Sequence, residues 1–161
     1  MTTFPPLTAA DAPALAGLLA GERKEYLAHF HPFSFDAATL AAILGAARED
    51  RYWAIHTNGT LAGFCMLRGW DEGYSRPSFG VLVAEAFAGR GLAREALAFC
   101  TEHCRARAVE TLMLTVHPEN LRARRAYEAA GFVRTGTNPK TGHDVLEKRL
   151  TFEILPPLPP A

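Results

Sequence analysis

Residues 78–93 read Ser78-Phe79-Gly80-Val81-Leu82-Val83-Ala84-Glu85-Ala86-Phe87-Ala88-Gly89-Arg90-Gly91-Leu92-Ala93, and within them the chain changes period. The apolar run 78–83 reads as a strand. From Leu92 to residue 107 apolar side chains recur every three or four positions, which predicts an amphipathic helix with arginines on its outer face. The glycine-rich turn between them leaves the helix's first amides unpaired at the positive end of its dipole, an arrangement that suits an anion. Glycines also serve turns that bind nothing, so the turn needs a second signal. A P-loop requires a lysine after its glycine, and no lysine lies between Lys24 and Lys140. A dinucleotide fingerprint wants a third glycine where Arg94 stands and an acid where His117 stands, so it fits poorly.

Working outward, Thr8 can cap a helix over 9–20 that Gly21 ends, and a short helix follows near 23–28. Asp36 can cap a third helix that runs to about residue 47. Residues 51–57 alternate like a strand, Asn58-Gly59 is a strong hairpin signal, and 60–67 returns as the partner strand. After a polar and aromatic loop at 70–76 and the junction above come a buried-type strand at 111–116, a helix at 119–130 stopped by Gly131, and closing strands at 132–137 and 143–151. No internal repeat is visible.

The chain has 161 residues, 48% hydrophobic and 21% charged, enough to bury the core of one domain. We read that domain as 1–154, with a proline-rich tail at 155–161 whose PxxP reads as a frayed end. Lys+Arg and Asp+Glu balance at 17 each, so there is no uniform positive field to coat nucleic acid or anionic lipid. No run approaches the ~20 apolar residues of a membrane span, and the start lacks a signal peptide's pattern, which points to the cytoplasm. Residues 86–134 carry eight basic side chains, all arginine, against five acids, which favours a small anionic ligand there. Cys65, Cys100 and Cys104 have no disulfide-framework spacing and read as small core residues, with His103 beside them. His29 and His31 form an HxH pair without a third ligand nearby, so no metal is implied.

The second signal is His117-Pro118-Glu119-Asn120-Leu121-Arg122-Ala123-Arg124-Arg125-Ala126-Tyr127-Glu128-Ala129-Ala130-Gly131-Phe132. With Ala88-Gly89-Arg90-Gly91-Leu92-Ala93 about 30 residues upstream, the chain resembles the GNAT superfamily of N-acetyltransferases. That family's segments read roughly R/QxxGxG/A and then NxxAxxxYxxxGF, and Asn120, Ala123, Tyr127, Gly131 and Phe132 fall in register. The resemblance implies an α/β (α+β) fold with a mixed, strongly bent central sheet of about six to seven strands flanked by about four helices.

It also implies acetyl-CoA as co-substrate. The pyrophosphate would rest on the amides of Gly89, Arg90, Gly91, Leu92 and Ala93, with Arg90, Arg94, Arg122 and Arg124 as candidates for the phosphates. The pantetheine arm would pair with Leu82 and Val83 like an added strand, and Asn120 would contact it. Tyr127 would be the general acid for the departing thiolate, and the Val83 N–H the donor to the oxyanion. Two departures from the pattern stand out. Ala88 occupies a slot usually held by Arg or Gln, and Ser78 stands near where many members carry a glutamate base. Asp71 and Glu72 are the nearest carboxylates for that role, with Glu85, His117 and a water relay as alternatives.

The acceptor would enter over Tyr26, His29, His31, Phe33, Trp70 and Tyr74, where aromatic side chains beside acids could receive an amine. The leading expectation is N-acetylation of a small-molecule primary amine, with an amino-sugar derivative among the candidates. The rivals are acetylation of a protein N-terminus or lysine, and a non-catalytic acetyl-CoA-binding module. Neither a nucleic-acid nor a membrane partner is expected, and homodimers are frequent in the family.

Overall fold

A computed structural model describes residues 1–150 together with Pro159 and Pro160. Seven strands form one sheet in the order β1-β2-β3-β4-β5-β7-β6. They are β1 (Thr2–Thr3), β2 (Arg51–Thr57), β3 (Thr60–Arg68), β4 (Ser78–Val83), β5 (Thr111–Val116), β6 (Val133–Thr137) and β7 (Asp144–Arg149). The helices are α1 (Ala12–Ala20), α2 (Lys24–Leu27), α3 (Ala37–Ala46), α4 (Leu92–Ala106) and α5 (Leu121–Ala129). All neighbouring strands are antiparallel except β4 and β5, which run parallel. The mixed α/β architecture expected from the sequence is present. No described helix is long and apolar enough to cross a membrane.

Local chemistry accounts for most element boundaries. Asn58 and Gly59 both take positive φ, +50° and +79°, as a two-residue hairpin turn between β2 and β3 requires. Asp36 accepts from the Thr39 N–H at 2.8 Å and caps α3. Asn120 does the same for α5 through Ala123, so that helix starts two residues later than its sequence pattern implied. The expected helix over 9–20 divides into a 3-10 turn, Ala9–Asp11, and α1, whose first turn holds Pro13 where no N–H is needed. Gly21 ends α1 at φ −79°, an ordinary right-handed conformation rather than a left-handed glycine stop. Two-residue β1 is too short to carry a periodicity in the sequence. The expected last strand reached residue 151, whereas β7 ends at Arg149; residue 151 and most of the proline-rich tail lie outside the described residues.

The sheet buries a different core on each face. Phe64, Met66 and Leu82 pack under α1 and α3, while Cys65, Leu67 and Phe79 pack against α4 and β5. Gly63 makes the β3–β4 contact possible, since a Cβ there would lie 2.0 Å from the Leu82 carbonyl oxygen. The three cysteines are free and buried, as their spacing suggested.

Candidate active site

The parallel neighbours β4 and β5 touch at one register pair, Ser78 with Met113, and then diverge. Beyond that point β4 has a free edge, and the strand's alternation decides which groups face it. Ala84 donates to the Ala62 carbonyl of β3, so the even-numbered residues of β4 bond to β3 and the odd-numbered ones face the gap. Val81 and Val83 therefore offer their peptide groups to the gap. The peptide groups of Leu82 point to β3, and its side chain sits in the core, which corrects its assignment as a cofactor contact.

At the end of the gap the chain turns through Gly89 and Gly91, both at φ +78°, and α4 begins with no side chain capping its first turn. A Cβ built on either glycine meets nothing within 4 Å. The turn is thus a left-handed, uncapped and open cradle of amides, able to receive a diphosphate. Arg90 lies beside it with its guanidinium 5.2 Å from the Phe87 ring centre. Arg94 and Arg122 are exposed, whereas Arg124 is committed to Asp144 and Glu128 at 2.7 and 2.8 Å and is not a free phosphate ligand.

Tyr127, on α5, packs edge-on against Phe79 of β4 and Phe132, with ring centres 6.5 and 5.9 Å away. Its hydroxyl makes no hydrogen bond to the described residues, and burial pushes its pKa up to about 12. It is therefore a phenol that keeps its proton at neutral pH, held on the α5 face of the sheet beside the gap.

On the opposite face a cleft of about 850 Å³ opens over the point where β4 and β5 part. Its floor includes Met66, Arg68, Ser78, Gly80 and Met113, and its walls are the segment 29–32 and the loop before β7. Gly80 clears space for this arrangement: a Cβ there would meet Met66 at 2.5 Å and Phe30 at 3.2 Å. Of the expected acceptor residues, His29, His31 and Tyr74 border the cleft, and Tyr26, Phe33 and Trp70 do not. Tyr26 instead donates to the Val83 carbonyl at 2.5 Å. Phe33 lies in the aromatic cluster under α3, and Trp70 faces Arg107, 3.9 Å from its ring centre.

The two carboxylates proposed as bases also part. Glu72 borders the cleft. Asp71 turns away, its oxygens accepting from the Arg48 and Glu49 N–H groups at 3.0 and 2.7 Å, which lowers its pKa. Asp71 is a loop tie rather than a group facing substrate. Glu85 is likewise engaged, paired with Arg23 at 2.5 Å. His117 stacks on His29 at 4.4 Å, and its Nδ1 accepts from the Glu119 N–H at 3.1 Å. His29, His117 and Glu119 bring their ligating atoms within 4.8 Å of one another, so the fold gives His29 the neighbouring ligand types that its sequence context lacked, with the His117 Nδ1 already accepting from the Glu119 N–H.

A segment spanning α2 thus straps the open ends of the two strands, with Arg23 and Tyr26 on the β4 side and His29 on the β5 side. Sequence reasoning missed this strap and also Arg68, an arginine at the end of an apolar strand with no motif around it.

The fold has close structural likenesses. An acetyltransferase from Thermus thermophilus superposes with a TM-score of 0.78 at 20% identity, over 93% of this chain and 97% of that one. The PaiA N-acetyltransferase of Thermoplasma acidophilum, solved with coenzyme A, has a TM-score of 0.76 at 14% identity, over 93% and 99%. The ribosomal-protein-S18-alanine N-acetyltransferase of Escherichia coli has 0.69 at 20% identity, over 95% and 96%. No curated protein matches the chain in sequence. The profile of the acetyltransferase (GNAT) domain matches residues 2–133, and with the parted strands, the glycine turn and the half-buried tyrosine in place, this chain belongs to the GNAT family of acetyltransferases.

Proposed function

We propose that the protein transfers the acetyl group of acetyl-CoA to a primary amine of a small molecule by direct attack on the thioester. The observation that carries this reading is the parting of β4 from β5 at Ser78 and Met113, which opens one gap to both faces of the sheet. The pantetheine arm would lie along the free edge of β4, where Val81 and Val83 present peptide groups, and the diphosphate on the amides of 89–93. Tyr26 already takes the Val83 carbonyl, so the Val83 N–H is the group left for the thioester oxygen. Asn120 caps α5 beside the arm with its Oδ1 and keeps its amide N–H₂ for the ligand.

The chemistry then divides between the faces. The amine enters from the cleft and attacks the carbonyl carbon, and the oxyanion is held by the Val83 N–H. The C–S bond breaks, and Tyr127 gives its proton to sulfur from the α5 face. The amine's proton leaves through Glu72, directly or by way of water. Walls on both sides of the cleft favour a small acceptor over a protein chain threaded through an open groove.

A thermal melt with saturating acetyl-CoA, and NAD as control, tests the donor site. Binding at 100 times Kd stabilises by ~2.7 kcal/mol, worth several degrees in a domain of this size. A shift with acetyl-CoA alone is expected. Equal shifts, or none, would overturn the assignment.

A further inference from the structure

Arg68 lies in the cleft floor without an anionic partner. It ends β3 opposite Ser78, on the same face as Met66 and Gly80. Its guanidinium carbon sits 5.1 Å from the Phe33 ring centre, its Nε is enclosed without a hydrogen bond, and it forms no ion pair among the described residues. The other arginine of the cleft, Arg76, is neutralised by Glu147 at 2.7 Å. The nearby acids are occupied too: Asp50 accepts from the Gly69 and Asp71 N–H groups at 3.0 and 3.1 Å, and Asp71 from Arg48 and Glu49. Stacking uses the flat face of a guanidinium; the Tyr52 hydroxyl lies beside its edge but carries no charge, and a partly buried cation without a counter-charge among the described residues is unfavourable until a ligand supplies one. Glu72 borders the same cleft and forms no ion pair either, to Arg68 or to any other described residue. One lone cation and one lone carboxylate, held apart in a single cavity, complement a molecule that carries both charges.

We propose that the acceptor is zwitterionic, with its amine directed to Glu72 and an anionic oxygen group, carboxylate or phosphate, seated on Arg68. This rests on the acetyl-transfer reading above and deepens it. Arg68 selects among amines; the chemistry at the thioester does not require it.

The test measures free-thiol release with paired acceptors: α-amino acids against their amides, and glucosamine 6-phosphate against glucosamine. These arms separate a carboxylate from a phosphate. In the wild type the anionic member of one pair should be favoured about 10- to 100-fold in kcat/KM, the range of a charge-assisted hydrogen bond. Arg68→Met, which keeps the aliphatic stem against Phe33, should abolish that preference through the KM of the anionic member, so that the two members of the pair are used about equally. Arg68→Lys should restore part of it and shows that the position tolerates change. Equal use of both members, a preference that survives in Arg68→Met, or turnover of neither member in either series would overturn the inference. Failure of the acetyl-transfer reading is separately visible, because the acetyl-CoA thermal shift would then be missing in the wild type.

Discussion

Replacing Tyr127 with phenylalanine separates a catalytic phenol from a packing one. The ring's contacts with Phe79 and Phe132 are edge-on and apolar, and the hydroxyl has no partner among the described residues. Deleting that hydroxyl removes no hydrogen bond to the described residues, and because the side chain is half-buried and its oxygen is not an enclosed, unpaired atom, no desolvation penalty is relieved either. The melting temperature should therefore stay within about a degree of wild type, and the acetyl-CoA-induced shift should remain. Losing a general acid costs about 10²- to 10⁴-fold in rate, or ~3–5 kcal/mol at 1.36 kcal/mol per decade. The assay is thiol release at saturating acetyl-CoA alongside a melt of the same preparation. With the phenol pKa at about 12, wild-type turnover should also show no alkaline decline from this group through about pH 10.5. A Tyr127→Phe kcat within threefold of wild type would refute the reasoning. So would a loss of turnover accompanied by an equal loss of stability, since the tyrosine would then be structural.

The close β3–β4 approach makes Gly63→Ala severe: its Cβ would meet backbone rather than a movable side chain, at 2.0 Å from the Leu82 oxygen. We expect a loss of about 3 kcal/mol or more and a melting temperature lower by roughly 6–12 °C, with a drop under 2 °C counting against it. Asp71→Asn should destabilise at neutral pH without changing the pH profile of turnover. The Asp71 pKa is lowered in the fold, so its stabilising contribution is present above the unfolded value and lost as pH falls through the folded one. Wild type and Asp71→Asn should therefore converge in melting temperature as the pH falls below the ordinary carboxylate range, whereas Glu72→Gln should alter the pH profile of turnover and leave stability unchanged.

The legible parts of this protein were those in which a few adjacent residues determine a conformation. Asn58-Gly59 specifies its turn through positive φ at both positions, and Gly89 and Gly91 do the same at the head of α4. The run from Asn120 to Phe132 combines a cap, a helix and a tyrosine within one local pattern, so α5 was legible locally, while the roles expected of Asn120 and Tyr127 came from the resemblance to the GNAT family. The acceptor side was not legible in this way, because its roles are set by partners distant in sequence. Tyr26 was visible as an aromatic beside the site, but that it bonds the Val83 carbonyl, 57 residues away, depends on where α2 lands. Asp71 and Glu72 are neighbours of the same charge, and the fold sends one to the backbone of 48–49 and the other to the cleft. Leu82 and Val81 differ by parity: an alternating strand shows which residues share a side, but only its register with β3 tells which side is free, and that register turns the peptide groups of Val81, not Leu82, to the gap.

That parity also explains how one gap can serve two reactants. The odd residues of β4 turn their peptide groups toward the gap, and strand pleating puts side chains on alternate faces. Phe79 consequently supports Tyr127 on the α5 face, while Ser78 and Gly80 form the cleft floor beside Arg68 on the other. A thioester lying along that edge is then open to an amine from the cleft and to an acid from α5, and neither group has to pass the other. Gly80 keeps the amine's side clear, since a Cβ there would be within 3.2 Å of Phe30 and closer still to Met66. On the proposed reading, donor recognition would depend on backbone groups of β4 and the α4 turn, which many sequences can supply. On the same reading, acceptor choice would depend on the side chains of one face, Arg68 and Glu72 foremost. Changes to the cleft floor should therefore redirect which amine is used while leaving the affinity for acetyl-CoA unchanged.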